Sequence, residues 1–345
     1  MRKIFILTVM MGLMTAGFFT FGYHDAAQAA EPPELKYSTH DPLQANTMVN
    51  AYIPWINKMN SDARGAFKIK IYPGGVLGRD PRTQIKLLKD GVTDIAVVTS
   101  LFYPKRFPDA TLFNIPFVIK GAPEGSLAAW NMLCKGLLQG YDDLKVLSLS
   151  TTDVHRIHSK YPIKTPADLK GHRFRVSGGL APKLLTALGA TPVAMPIPQT
   201  AENMSRGVVE GVLCDTNALF VFRINEVAKY YLDIPMGTSV QAIVMDRKVY
   251  DALPPQGKLA IDMNIGRPII LSISNIMKGE SDKCLTKDPD ANVYAPKGEE
   301  LEQWKAAAEK VKAEWIKETP NGEELYSALQ KELKWIRSGG IDGAP

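Results

Sequence analysis

From Leu35 onward, short apolar runs alternate with stretches whose apolar residues recur at helical spacing. Residues 35–38 read as a strand, and a helical pattern follows from about residue 45 to 60. Phe67, Ile69 and Ile71 alternate with Lys68, Lys70 and Tyr72, a period of two that predicts a strand with one buried face. Pro73-Gly74-Gly75 turns the chain, and Asp80-Pro81 supplies an N-cap and a proline at the first position of a helix ending at Asp90-Gly91. Ile95-Ala96-Val97-Val98 is a continuous apolar run, as in a parallel sheet covered on both faces. Further strands are predicted at 146–149, 173–176, 211–214 and 239–245. After Pro254-Pro255 the pattern is mostly helical, apart from a strand at 292–294, and 299–318 and 322–336 read as long surface helices. The alternation predicts an α/β protein.

The N-terminus bears on the compartment. Arg2-Lys3 is followed by an apolar, uncharged run from Ile4 to Phe21, and Ala27-Gln28-Ala29 places small residues at −3 and −1 of a cleavage site. This is the layout of a secretory signal peptide over residues 1–29. A membrane anchor is the alternative, but the run is borderline in length and the polar Glu31-Pro32-Pro33 follows it. The expectation is an exported, periplasmic protein. At 345 residues the chain is too long for one ordinary core and suits two domains. No repeat or low-complexity linker separates them, which points to crossing segments with a cleft between the halves. The net charge of +5, about +4 without residues 1–29, is too mild and too dispersed for a nucleic-acid groove. Cys134, Cys214 and Cys284 show neither CxxC nor zinc spacing. One disulfide with a free thiol, or three buried thiols, both remain open.

Motifs for covalent or phosphate chemistry are missing. The sequence has no GxSxG, no GxxxxGK[ST], no GxGxxG after a strand and no HExxH, so neither cofactor nor metal is expected. His155 and His158 would share a metal on a helix, but their surroundings favour strand or loop, where i and i+3 face opposite sides. One cation is well placed. In residues 170–176, Phe174 and Val176 share one strand face while Arg173 and Arg175 share the other. An arginine at a strand end that opens onto a cleft can grip a carboxylate through two parallel N–H bonds. A surface arginine paired with a glutamate fits the same residues.

Five segments, in order, carry a resemblance. They are Ile71-Tyr72-Pro73-Gly74-Gly75-Val76-Leu77-Gly78, then Leu87 to Ala96 with its Asp90-Gly91 and Asp94, then Asn114-Ile115-Pro116-Phe117-Val118. Ala167 to Val176, containing Asp168-Leu169-Lys170-Gly171, and Ala190 to Met195 followed by Arg206 to Val212 complete the set. The chain resembles the DctP-like periplasmic substrate-binding subunits of TRAP transporters, the tripartite ATP-independent kind, over essentially all of the chain after the signal peptide. The resemblance implies two α/β domains with a ligand cleft between them and long helices spanning both. It implies domains of about 30–152 plus 241–280 and 153–240 plus 281–345. It places the family's carboxylate-binding arginine on Arg175.

Other binding positions follow from the resemblance. His40 falls after the first strand, where the family often has a polar contact. Thr99 and Ser100 end the strand at 95–98. His155 falls where some sialic-acid binders have a second arginine, and Cys214 where they have an asparagine. At 198–205 the family's aromatic and acidic residues give way to Ala201 and Met204 beside Ile197. A hydroxyl-rich sugar acid would leave donors unpaired there. Phe102 and Ile197, with Tyr103 and Leu213, instead favour a monocarboxylate with an apolar or aromatic body. The implied partners are that acid and a membrane permease driven by an ion gradient. The competing readings are a secreted α/β enzyme using His155 as base, and a sensory binding protein without a permease.

Overall fold

The computed structural model describes residues 31–340; the expected signal peptide, residues 1–29, lies outside the described residues. Among the described residues, eleven strands form two sheets. The first holds β1 (Glu34–Ser38), β2 (Lys68–Tyr72), β3 (Ile95–Thr99), β4 (Leu144–Thr151) and β10 (Val240–Asp246), in the order β2-β1-β3-β10-β4. The second holds β5 (His155–Ser159), β6 (Arg173–Val176), β7 (Thr191–Ala194), β8 (Gly211–Asp215), β9 (Tyr230–Leu232) and β11 (Asn292–Tyr294), in the order β11-β9-β5-β8-β6-β7. The α/β class and the two-domain binding-protein fold expected from the sequence are therefore present.

Local chemistry accounts for the elements. Phe67 and Ile69 are buried while Lys68 and Lys70 are exposed, as the period of two requires. Gly74 and Gly75 both take positive φ, 64° and 71°, at the turn after β2. The Asp80 side chain accepts from Arg82 N–H and caps a short 3₁₀ turn, Pro81–Thr83, that leads into the helix Gln84–Lys89. The apolar β3 lies parallel to β1 on one side but antiparallel to β10 on the other. A buried central strand does not reveal its neighbours' direction. The pattern predicts neither β7, which contains Pro192, nor β9, which has only three residues. Both are short strands held by their neighbours.

Three segments cross between the sheets: 152–154, 233–239 and the helix Arg267–Lys287. The first two are laced together by backbone bonds. Thr152 N–H donates to Ser239 O at 2.9 Å, His155 N–H to Gly237 O at 2.7 Å, and Met236 N–H to His155 O at 2.9 Å. The 21-residue helix, about 31 Å long at 1.5 Å per residue, has Ile269, Ile273 and Met277 in the first lobe's core and Leu285 against the second's. The helix Gly298–Glu318 also touches both lobes. Trp304 Nε1 donates to Lys164 O at 3.0 Å, and Trp315 Nε1 donates to Thr111 Oγ1 at 2.9 Å. The last helix, Gly322–Arg337, packs on Ala122–Cys134 of the first lobe, where Arg337 makes a two-pronged bond to Glu124 at 2.9 and 2.7 Å. One apolar cluster runs continuously from Leu149 to Ile157 and Leu213 across the crossing segments, so the lobes share a core along one side.

Asn114 ties this junction together. Its Nδ2 donates to Thr238 O at 2.5 Å, and its Oδ1 accepts from Leu180 N–H at 3.3 Å. Its backbone lies so close to Gly237 (φ 88°) that a Cβ there would sit 2.2 Å from Asn114 O. Gly237→Ala should therefore combine left-handed strain with overpacking, at a cost of about 2–4 kcal/mol. Urea unfolding should show a lower midpoint with an unchanged slope. An unchanged midpoint would mean that the junction yields more than its packing implies.

Candidate functional site

One cavity opens where the carboxyl ends of the parallel strands of both sheets meet, the place where open α/β sheets take ligands. Its volume, counted over the positions available to a water centre, is about 120 Å³. One water needs about 10–15 Å³ on that measure, so a small molecule fits. A second hollow at the β9–β11 edge is lined by Tyr230, Tyr231, Tyr294 and Lys164.

Arg175 is the group that sets the cavity apart. It lies on β6, between β7 and β8, and is 1% exposed. Its Nε donates to Met195 O at 2.9 Å, on the chain just beyond β7. Nη1 and Nη2 are buried and have no hydrogen-bond partner among the described residues. No ion pair reaches it among the described residues. Burial holds its pKa down, to about 10, while the nearby Cys214 and Asp215 act in the opposite direction. A buried guanidinium with two orphaned nitrogens is costly unless an anion completes it. Arg173, two residues earlier, behaves differently. It is exposed, with Nη2 3.0 Å from Glu210 Oε1 and 2.7 Å from Gly207 O. The surface-pair alternative thus applies to Arg173 and not to Arg175.

Of the eight positions expected from the sequence, Arg175, His155, Thr99, His40, Cys214, Phe102 and Ile197 all line this cavity. Ser100 does not. Thr99 is the last residue of β3, and the next residue alternates to the opposite side as a 3₁₀ turn begins. Ser100 is buried there, with Oγ 3.3 Å from Tyr141 Oη. Tyr103 likewise turns away, its Oη donating to Pro81 O at 3.2 Å, and Leu213 faces a smaller adjoining hollow. The apolar wall contains Phe102, Ile197, Val221 and Phe222.

His155 Nε2 lies 3.0 Å from Ser239 Oγ and 3.3 Å from Thr152 Oγ1. Burial, helped by the charge of Arg175, pushes its pKa down to about 3, so the ring is a neutral hydrogen-bonding group. The Cys214 thiol is driven up by burial and stays protonated. His40 Nε2 meets Gly78 O at 3.1 Å. None of the three cysteines is in a disulfide. No cluster of metal-ligating residues occurs among the described residues.

Two carboxyls on the wall escaped the sequence reading. Asp215 ends β8 and its Oδ1 accepts from Ala218 N–H at 2.9 Å, capping the helix Thr216–Val221. Asp41 follows β1. Burial raises both to about 6. In the sequence each reads as an ordinary cap or turn acid; the one usable signal is its place at or just beyond a strand end.

The sequence profile of the bacterial extracellular solute-binding protein family 7 (DctP) matches residues 40–319. A TRAP solute-binding protein from a marine metagenome, specific for aromatic acids and in complex with 3-hydroxybenzoate, superposes with a TM-score of 0.82 at 27% identity, covering 88% of this chain and 99% of that one. A TRAP solute-binding protein from Rhodoferax ferrireducens T118, in complex with copurified benzoate, gives a TM-score of 0.82 at 25% identity, covering 89% and 99%. The C4-dicarboxylate-binding periplasmic protein DctP of Rhodobacter capsulatus is 23% identical over 240 residues, 66% of this chain and 69% of that protein.

Truncating a well-packed buried side chain normally costs 2–5 kcal/mol. Arg175→Met removes an uncompensated charge instead, so without added ligand it should melt no lower than the wild type. A clear drop in melting temperature would show that the guanidinium stabilises the fold.

Proposed function

The chain belongs to the bacterial extracellular solute-binding protein family 7, and from that premise we propose that it is the periplasmic receptor of a TRAP transporter for a small monocarboxylic acid with an aromatic or apolar body. The acid's carboxylate pairs with Nη1 and Nη2 of Arg175, and its body lies against Phe102, Ile197, Val221 and Phe222. The observation that carries this reading is the buried guanidinium whose Nε is already engaged and whose other nitrogens lack partners. Two parallel N–H···O bonds from such a group match a carboxylate in geometry and charge. Structures similar to this one that hold benzoate and 3-hydroxybenzoate support the aromatic body.

The mechanism is a clamp. The lobes, about 30–152 with 241–280 and 153–240 with 281–345, turn about the laced segments 152–154 and 233–239. Opening gives the acid access to Arg175 on the second lobe. Closure adds contacts from His40, Thr99 and Phe102 on the first, so the ligand favours the closed state by its differential contacts. The closed receptor then docks on a membrane permease driven by an ion gradient. No helix among the described residues is long and apolar enough to cross a membrane. An enzyme using His155 as base is disfavoured, because a ring held near pKa 3 is a poor base at neutral pH.

A thermal-melt screen of residues 30–345 tests the reading with benzoates, mandelate, 2-oxo acids, C4-dicarboxylates and sugar acids. A ligand at a hundred times its Kd adds about 2.7 kcal/mol, a rise of roughly 5 °C. The shift should be confined to monocarboxylates and vanish in Arg175→Ala. Undiminished affinity in that variant sinks the assignment. Affinity should also fall as pH rises from about 6 toward 8. Asp215, close enough to Arg175 to bear on its charge, has a folded pKa near 6; an anion arriving on Arg175 raises it further, and binding therefore takes up protons. His155 and His40, whose pKa values lie below the usual histidine value, do not supply that dependence. A flat profile over this range would contradict the placement of the anion beside Asp215.

A further inference from the structure

Asp41 lines the same cavity as Arg175 but belongs to the other lobe, in the turn that follows β1. Its backbone is fixed on both sides. Its N–H donates to Thr39 Oγ1 at 3.1 Å, and its carbonyl accepts from Gly74 N–H at 3.0 Å. Its carboxyl oxygens, in contrast, take no hydrogen bond and no ion pair among the described residues. Asp215, the other acid on the wall, has a different position. It stands on the second lobe, and one of its oxygens is occupied by Ala218 N–H. The cavity therefore has a cation without a partner on one lobe and an acceptor without a partner on the other.

We propose that Asp41 is a specificity-determining residue, which accepts a hydrogen bond from a hydroxyl at the end of the acid remote from its carboxylate and repels acids that carry a second carboxylate there. The inference rests on the carboxylate reading of Arg175. Closing the lobes on a ligand with only C–H groups at its far end leaves the Asp41 oxygens desolvated and unpaired. A hydroxyl in that position satisfies one of them. A second carboxylate meets a like charge in a partly dry cavity, with no cation on that wall to offset it. His40, the neighbouring titratable group, is engaged with Gly78 O and held toward its neutral form by burial. Tyr37 and Tyr52, both buried and close enough to feel the Asp41 charge, are neutral. The same residue thus selects for one class of acid and against another.

Three acids that share a ring and differ at one meta position test this: benzoate, 3-hydroxybenzoate and isophthalate. Titration calorimetry on residues 30–345 near pH 7.5 should rank 3-hydroxybenzoate about tenfold or more above benzoate, and isophthalate about tenfold or more below it. In Asp41→Ala the advantage of the hydroxyl should vanish, and isophthalate should come within about threefold of benzoate. Asp41→Asn keeps an acceptor oxygen and loses the charge. It should retain the hydroxyl preference while admitting isophthalate. Wild-type protein that binds isophthalate as tightly as 3-hydroxybenzoate, or an Asp41→Ala variant with unchanged ratios, overturns the inference. If benzoate binds through Arg175 and the ratios nonetheless fail, Asp41 alone is misassigned. If no acid binds, or Arg175→Ala binds undiminished, the carboxylate reading falls and this inference falls with it.

Discussion

A guanidinium buried with no counter-charge is a constraint that the surrounding structure has to answer. Arg175 is as buried as the core residues Phe67 and Phe107, and its Nε–Met195 bond satisfies only one of its nitrogens. The nearest acid, Asp215, is itself raised toward neutrality by burial and commits an oxygen to a helix cap. Nη1 and Nη2 are thus left without acceptors among the described residues. In the proposed reading an organic anion supplies them, with the neutral His155, the protonated Cys214 thiol and the apolar wall of Phe102, Ile197 and Phe222 framing that anion's body.

The placement of that charge follows from the topology. Arg175, Ser177 and Asp215 stand at or just beyond the carboxyl ends of β6 and β8, while His40, Asp41 and Thr99 do so for β1 and β3. The two sheets share a continuous apolar cluster that runs from Leu149 to Ile157 and Leu213. The polar strand ends converge instead on the cavity. The crossing segments 152–154 and 233–239 are joined by the Thr152–Ser239 bond and by two bonds to His155, the first residue of β5, and Asn114 and Gly237 pack there at close range. In the proposed clamp, a hinge built this way is narrow and confines motion to few backbone positions.

The sequence made Arg175 legible because β6 is a clean alternation, with two core residues opposite two arginines. It made the cavity's apolar wall partly legible through Phe102 and Ile197. It misplaced Ser100, since an assignment made one residue past a strand end inverts the face a side chain takes. Asp41 and Asp215 stayed hidden for a different reason. An aspartate after a strand is a common turn or cap residue, and only the register of strands distant in sequence brings both to one cavity with Arg175. The same holds for β7 and β9, which are strands because of their neighbours and not because of their own residues.

The position of β10 has a consequence for how the chain becomes a protein. It lies between β3 and β4, pairing Thr99 with Gln241 and Thr151 with Val240, yet it is made only after the strands β5 to β9 of the other lobe. Until it emerges, β3 and β4 have no bond to each other and both present open edges. Pairings this distant in sequence are slow to form, and unpaired edges invite association with other chains. The first lobe, though begun first, is therefore finished after most of the second. A chain threaded outward from its N-terminus carries an incomplete sheet until Asp246 has passed, which makes the interval before that point the one in which a holding chaperone has most to do.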